Sequence, residues 1–265
     1  MSKRLENKVA IVIGAGQTPG DTIGNGRAMS VLFAREGAKV LLVDRLLEAA
    51  QETLKQIEEE GGEAVPFQAD ITNPEDCKKL ADKCLEMWGR IDIFVYNVGT
   101  GDGQPSITMP EKRWDTVFDV NIKGMFSCYK NVLPVMQKQE SGVLLNISSI
   151  AAISSTPMLA YRGSKAGMNA VTKTVATEYA KYGIRANVIM PGLMNTPMAI
   201  EGLSRALSMD KQELIGRRDK RVPLKGGMGT AWDVAYAALF LVSDEAKFVS
   251  GVLLPVDGAQ SSRVG

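Results

Sequence analysis

The amino-acid sequence predicts an α/β fold, a doubly wound parallel sheet of seven strands with helices on both faces. Three observations predict it. Apolar runs of strand length alternate with longer stretches of helical periodicity along the whole 265-residue chain. The strand runs are continuously apolar rather than alternating, as expected of strands covered on both faces. No linker, internal repeat or low-complexity block interrupts the alternation, so residues 1–265 are expected to form a single domain.

The first strand is expected over VAIVIG, Val9 to Gly14. GRAMSVLFAREG follows with helical periodicity and a stop at Gly37. AKVLLVD is the second strand, and a helix from about Leu46 to Glu60 ends at Gly61-Gly62. AVPFQAD is the third strand. The helix after it has Asn73 as N-cap and Pro74 at its first position. IDIFVYNVG is the fourth strand, and one long helix is predicted from Lys112 towards Lys138, with irregularity at Pro134. GVLLNIS is the fifth strand, and a helix from about Ala160 to Tyr182 follows. IRANVIMPG is the sixth strand, residues 193–222 read as irregular or weakly helical, TAWDVAYAALFLVSDE is the last helix and GVLLPVDG the last strand.

Composition narrows the function. Lys plus Arg is 31 against 30 Asp plus Glu, a formal charge of +1, which favours neither nucleic acid nor an anionic membrane. No run approaches the length of a membrane span, and the apolar run near the N-terminus is a strand rather than a signal peptide. Cys77, Cys84 and Cys128 form no CxxC pair, and without any histidine no metal site is expected. These features point to a cytoplasmic protein with reduced thiols.

The loop after the first strand, GAGQTPGDTIGNGRA, carries the first chemistry. Glycines at a strand-to-helix turn let backbone approach a pyrophosphate, and a helix N-terminus offers it unpaired N–H groups. Asp44 ends the second strand, 20 residues after Gly24, where a carboxylate accepts hydrogen bonds from an adenosine ribose. The bland alternative is that Gly24 and Gly26 serve turn geometry and Asp44 caps a strand. A carboxylate there repels a 2′-phosphate, which favours NAD(H) over NADP(H), although Arg45 softens the preference.

The second chemistry lies in YRGSK. Tyr161 and Lys165 are four apart on one helix face. Interconverting an alcohol and a ketone by hydride transfer needs a proton acceptor and donor at the oxygen. A free phenol, with a pKa near 10, is about three units too high to serve as a base at neutral pH. A neighbouring ammonium is expected to lower it. An isolated YxxxK is more often a solvated pair; the serines just after the fifth strand and the glycine loop give this one its weight. Gly14, Asp44, Asp70, Asn97, Ser149 and Pro191 all fall at or just past strand carboxyl ends, where open parallel sheets bind ligands.

Taken together these residues resemble the short-chain dehydrogenase/reductase family over about residues 7–259, with its Rossmann-like sheet. Gly14, Gly24, Asn25 and Gly26 resemble the family's TGxxxGxG loop, with Ile13 and Asn25 departing from it. The step from Gly14 to Gly26 is twelve positions, twice the family's usual spacing, so a segment around QTPGDT is inserted. The insertion covers the phosphates or sits outside as a surface loop, the second being favoured. Asp70 and Ile71 resemble the adenine contacts, Asn97 and Gly99 the NNAG motif, and Asn121 the catalytic asparagine. Ser149, Tyr161 and Lys165 resemble the Ser…YxxxK set. The gap from serine to tyrosine is one residue short, so Ser148 competes with Ser149. Pro191, Gly192, Met194 and Thr196 resemble the segment that holds the nicotinamide amide.

The resemblance implies roles. Ser149 would hold the substrate oxygen, Tyr161 exchange its proton, and Lys165 bond the nicotinamide ribose. Asn121 would hold a water linking Lys165 to solvent. Residues 100–108, 150–158 and 193–222 would line the substrate pocket, the last as a lid. The lid's Met194, Met198, Leu203, Leu207 and Met209 suit an apolar substrate or simply pack a helix pair. Arg217 to Arg221, RRDKR, meets an anionic substrate or is a solvated charge run. Trp88, Trp114 and Trp232 are expected to pack helices against the sheet. Family members are commonly tetramers, through segments that match residues 112–138, 160–182, 231–242 and 252–256. The expected function is an NAD(H)-dependent secondary alcohol dehydrogenase or ketone reductase. The alternatives are a 3-oxoacyl carrier-protein reductase using NADPH and a non-catalytic nucleotide sensor.

Overall fold

The strands form where the continuous apolar runs lie. They are β1 (Val9–Ile13), β2 (Lys39–Asp44), β3 (Glu63–Gln68), β4 (Ile93–Tyr96), β5 (Gly142–Ile147), β6 (Ile184–Pro191) and β7 (Leu253–Val256). In the computed structural model, which describes residues 3–101, 108–154 and 156–263, all seven are parallel in the order β3-β2-β1-β4-β5-β6-β7. Ile13 at the end of β1 pairs with Val43 on one side and Tyr96 on the other. The chain winds outward from β1 in one direction and then, from β4, in the other. That reversal opens a crevice at the carboxyl ends of β1 and β4.

The helices are α1 (Asn25–Arg35), α2 (Leu47–Glu59), α3 (Pro74–Trp88), α4 (Glu111–Phe118), α5 (Gly124–Gln139), α6 (Leu159–Glu178), α7 (Pro197–Leu207), α8 (Lys211–Asp219) and α9 (Ala231–Val242). Period-two projection divides each central strand between two cores. Ala10 and Val12 of β1 join Met29 and Phe33 of α1 and Val234 and Leu239 of α9 on one face. Ile11 and Ile13 join Leu80 of α3, Met125 and Val132 of α5 and Met168 of α6 on the other. Ile11 and Leu41 are fully buried, and truncating either to Ala should cost about 2–5 kcal/mol. The three cysteines are buried free thiols.

Local signals end the helices where expected. The Asn73 side chain accepts from Glu75 N at 3.0 Å with Pro74 beginning α3, and Gly89 closes that helix in a left-handed conformation. Among the described residues no helix is long and apolar enough to cross a membrane.

Three expectations need correction. The long helix predicted from Lys112 to Lys138 is α4 and α5 joined by a π-helical turn, Asp119–Lys123. Pro134 stays inside α5, so the irregularity lies at Asn121 and not at the proline. Residues 193–222, read as irregular or weakly helical, are the helical alternative in firmer form, with α7 and α8, the latter capped by Asp210, whose carboxylate accepts from Gln212 N and Glu213 N at 2.8 and 3.1 Å. Trp114 is 38% exposed and stacks on Phe118 rather than on the sheet, whereas Trp232 packs against the first core under the Arg35 guanidinium.

Candidate active site

The glycine loop is built by a close approach. Gly14 has φ +77°, and a Cβ on Gly26 would stand 1.7 Å from the Gly14 carbonyl oxygen. Only glycine lets α1 start this close to the end of β1. Asn97 fastens the same point from β4, its Nδ2 donating to Gly14 O at 3.1 Å. Gly24 precedes α1 as an N-cap without a side-chain bond, so the first turn keeps its N–H groups for an anion. Asn25, the first residue of α1, holds a buried Oδ1 with no partner.

Asp44 stands at the end of β2 beside this loop. One carboxylate oxygen accepts from Gly16 N at 3.0 Å and the other from Leu46 N at 3.1 Å. Each oxygen keeps acceptor capacity for a sugar hydroxyl. Arg45 follows, and its charge acts on Asp70. The Asp70 carboxyl is held below its ordinary value chiefly by the Thr72 hydroxyl, then by Thr72 N, at 2.7 and 2.9 Å. Ile71 is 7% exposed and packs into the second core close to Gly124, so most of its side chain belongs to that core. A bare helix turn, a close backbone approach and a strand-end carboxylate are the donor set a dinucleotide requires, and these residues fit one.

Across the crevice, α6 brings Tyr161 and Lys165 together. The Lys165 ammonium lies 5.8 Å from the centre of the Tyr161 ring and donates to Ile147 O at 2.8 Å. Its side chain runs past Gly99, where a Cβ would meet Nζ at 3.1 Å. The Ser149 side chain acts on the Tyr161 phenol, drawing its pKa down, and its hydroxyl accepts from Ala151 N at 3.1 Å. Ser148 is 4% exposed and donates to Lys165 O at 3.1 Å, away from the phenol. Of the two serines the structure brings Ser149, not Ser148, to the tyrosine.

Burial shapes the electrostatics of this pair. Burial pushes the Tyr161 phenol above its ordinary value, and the Ser149 hydrogen bond offsets only part of that. Burial also takes the Lys165 amine from 10.5 down to about 7. An amine that is half deprotonated at neutral pH lends little charge to its neighbour. Burial is the largest cause at both groups.

Asn121 is fully buried in the π-helical turn. Its Oδ1 accepts from Thr100 N at 2.9 Å, and its Nδ2 donates to Thr100 O at 3.0 Å and to Ser164 Oγ at 2.9 Å. The amide thus holds residue 100 beside α6, and its Oδ1 and the Lys165 Nζ both flank Gly99. A π-turn of this kind re-aims one side chain at a site. Arg113 of α4 grips the same loop through Thr100 Oγ1 at 3.2 Å and the carbonyl of Gly101. Spacing gave no signal for Arg113 or Ser164; an asparagine in mid-helix was the one local oddity.

The end of β6 supplies the remaining wall. Gly192 N donates to Val256 O at 3.0 Å, and Leu193 N to the Gln260 side chain at 2.7 Å. Pro191 ends β6, Met194 is 5% exposed and bridges to Gly229, and Thr196 is the N-cap of α7. Residues 102–107 and 155 of the expected pocket lie outside the described residues. Met198 and Leu207 of α7 are exposed at 61% and 53%, whereas Ile200 is buried against Val222 and Met228. Of the RRDKR run, Arg217 pairs with Glu213 at 2.6 Å on the surface, as a solvated run would.

Comparison with known proteins agrees with this geometry. The family profile described as enoyl-(acyl carrier protein) reductase matches residues 21–259. The chain is 36% identical over 256 residues to 3-oxoacyl-(acyl-carrier-protein) reductase FabG of Thermotoga maritima, covering 96% of this chain and 98% of the relative. It is 37% identical over 260 residues to 3beta-hydroxysteroid dehydrogenase 1 of Eggerthella lenta, covering 97% and 95%. Among solved structures, 7α-hydroxysteroid dehydrogenase complexed with NADH and 7-oxo glycochenodeoxycholic acid superposes with a TM-score of 0.86 at 32% identity, covering 97% of this chain and 95% of the other.

Proposed function

Because the chain belongs to the short-chain dehydrogenase/reductase family and is an oxidoreductase of that family, we propose that it interconverts a secondary alcohol and a ketone with NAD(H). The observation that carries this reading is that Ser149 acts on the Tyr161 phenol while Lys165, one turn further along α6, lies 5.8 Å from the Tyr161 ring. NAD(H) supplies hydride transfer at the carbon. Ser149 and Tyr161 converge on the substrate oxygen, one holding it and the other giving or taking its proton. Tyr161, with its phenol pushed up by burial, holds that proton at neutral pH and is poised as the acid of ketone reduction.

Lys165 would bond the nicotinamide ribose hydroxyls and relay the proton, a task that suits an amine with a pKa of about 7. Gly14, Gly24, Asn25 and Gly26 would take the pyrophosphate, Asp44 the adenosine ribose, Asp70 the adenine side, and residues Pro191 to Thr196 the nicotinamide amide. Asn97, Gly99 and Asn121 position these groups. The NADH in the similar 7α-hydroxysteroid dehydrogenase supports NAD(H), as does the Asp44 carboxylate.

A 3-oxoacyl reductase using NADPH is the second reading, favoured by the similarity to FabG and by Arg45 beside Asp44. A nucleotide sensor without turnover is disfavoured by the retained serine, tyrosine and lysine. Exposed Trp114, Phe126, Tyr236 and Phe240 on the expected contact helices support a homotetramer. The deciding experiment is a screen of secondary alcohols, ketones and 3-oxoacyl thioesters with NADH and with NADPH, read by nicotinamide absorbance. NADH-dependent turnover of a ketone that disappears in Tyr161→Phe supports the proposal. Strong NADPH preference with a 3-oxoacyl thioester replaces it with the second reading.

A further inference from the structure

The insertion that lengthens the glycine loop has no task in this chemistry, yet both its ends belong to the dinucleotide site. Gly16 N donates to Asp44, and Gly24 leads into α1. Gln17 closes the loop between them: its Oε1 accepts from Gly24 N at 2.8 Å and its Nε2 donates to Thr22 O at 3.3 Å. The tip then leaves the crevice and meets the lid. A Cβ on Gly20 would stand 2.9 Å from Pro197 Cβ and 3.0 Å from Glu201 Cγ, both on α7. Asp21 reaches Lys211, the first residue of α8, at 3.4 Å. The same ammonium meets Glu201 of α7 at 2.7 Å. Residues 18–21 are exposed, as expected of a surface loop, and the tip touches α7 and α8 from outside.

We infer that the insertion is a strap that couples the dinucleotide site to the substrate lid, with Glu201 as the positioning residue that joins Gly20, α7 and Lys211. The inference rests on the reading of the glycine loop as a dinucleotide site. The Asp21 contact is 85% exposed on its acidic side and adds little by itself. Glu201 differs, with its side chain 15% exposed between Gly20 and Lys211. Ligand that orders the loop's backbone also fixes the tip, and the tip holds α7 and α8. Linkage makes the effect mutual, so substrate under the lid tightens the dinucleotide.

Limited trypsin digestion reads the coupling without turnover. Cleavage after Arg205 and Arg217, at the ends of α7 and in α8, is timed with and without saturating NADH, while NADH binding is measured separately by its fluorescence. NADH is expected to slow cleavage in the wild type. Glu201→Gln and Lys211→Met should lose roughly three- to fivefold of that protection, the scale of one ion pair, and NADH affinity should fall by a like factor, as linkage requires. Should Glu201→Gln fail to fold, the more exposed Lys211→Met carries the comparison. Wild type that binds NADH without protecting the lid, or variants protected as fully as wild type, would overturn the strap and leave the enzyme reading standing. Failure of wild type to bind either dinucleotide would overturn both.

Discussion

Replacing Lys165 by Met tests the electrostatic heart of the site without any substrate. The amine is 2% exposed, and burial takes it from 10.5 to about 7. Native Lys165 thus loses its proton near neutrality, whereas the unfolded side chain keeps it to about pH 10. In that window the unfolded chain binds one more proton than the native one, so this residue makes stability climb as pH rises. The ceiling for a change of that size is about 4–5 kcal/mol. Between about pH 7.5 and 9.5 the proton difference averages a little under one, which gives about 2 kcal/mol. Methionine does not titrate, so urea unfolding of wild type and Lys165→Met at the two pH values should show the wild type gaining about 2 kcal/mol on the variant. The raised Cys84 thiol, at about 12, is common to both proteins and cancels. The lost bond to Ile147 O is an offset independent of pH. Parallel stability–pH curves would refute the claim that Lys165 sits desolvated.

Other variants probe the remaining parts. Tyr161→Phe should lower turnover at least about 100-fold, the usual scale of a positioned acid or base, with NADH affinity measured by fluorescence within about twofold of wild type. Reduction rates, followed by NADH absorbance, should hold through neutral pH and fall in alkali, while oxidation rises with pH, because the raised phenol must stay protonated for one direction and ionise for the other. Gly26→Ala places a methyl 1.7 Å from Gly14 O, so it should abolish dinucleotide binding in calorimetry and lower the unfolding midpoint. Asn121→Ala orphans Thr100 N, Thr100 O and Ser164 Oγ and should cost about 2–4 kcal/mol in urea unfolding. Asp44→Ala should raise the NADPH to NADH preference by about tenfold or more, since like charges side by side cost several kcal/mol.

The sheet was legible because its information is local. Continuous apolar runs, the Asn73-Pro74 start and the glycine stops each act within a few residues, and β1 to β7 formed where those runs lie. Tyr161 and Lys165 were legible for the same reason, since i and i+4 share a helix face whatever packs above it. Asn121 was found as a residue but not as a contact. Nothing in DVNIK announces that the helix widens to a π-turn or that the amide will clamp Thr100.

By itself, then, the sequence determined the order of strands and helices, the glycines that permit close backbone approach, and the residues gathered at the strand ends. Only the tertiary structure decided that Ser149 rather than Ser148 meets the phenol, that Tyr161 and Lys165 are both buried, and that the inserted loop leans on α7. The physical reason is range. Periodicity, capping and turn chemistry are settled between near neighbours, whereas desolvation and packing depend on segments far apart in the chain that meet only once it has folded.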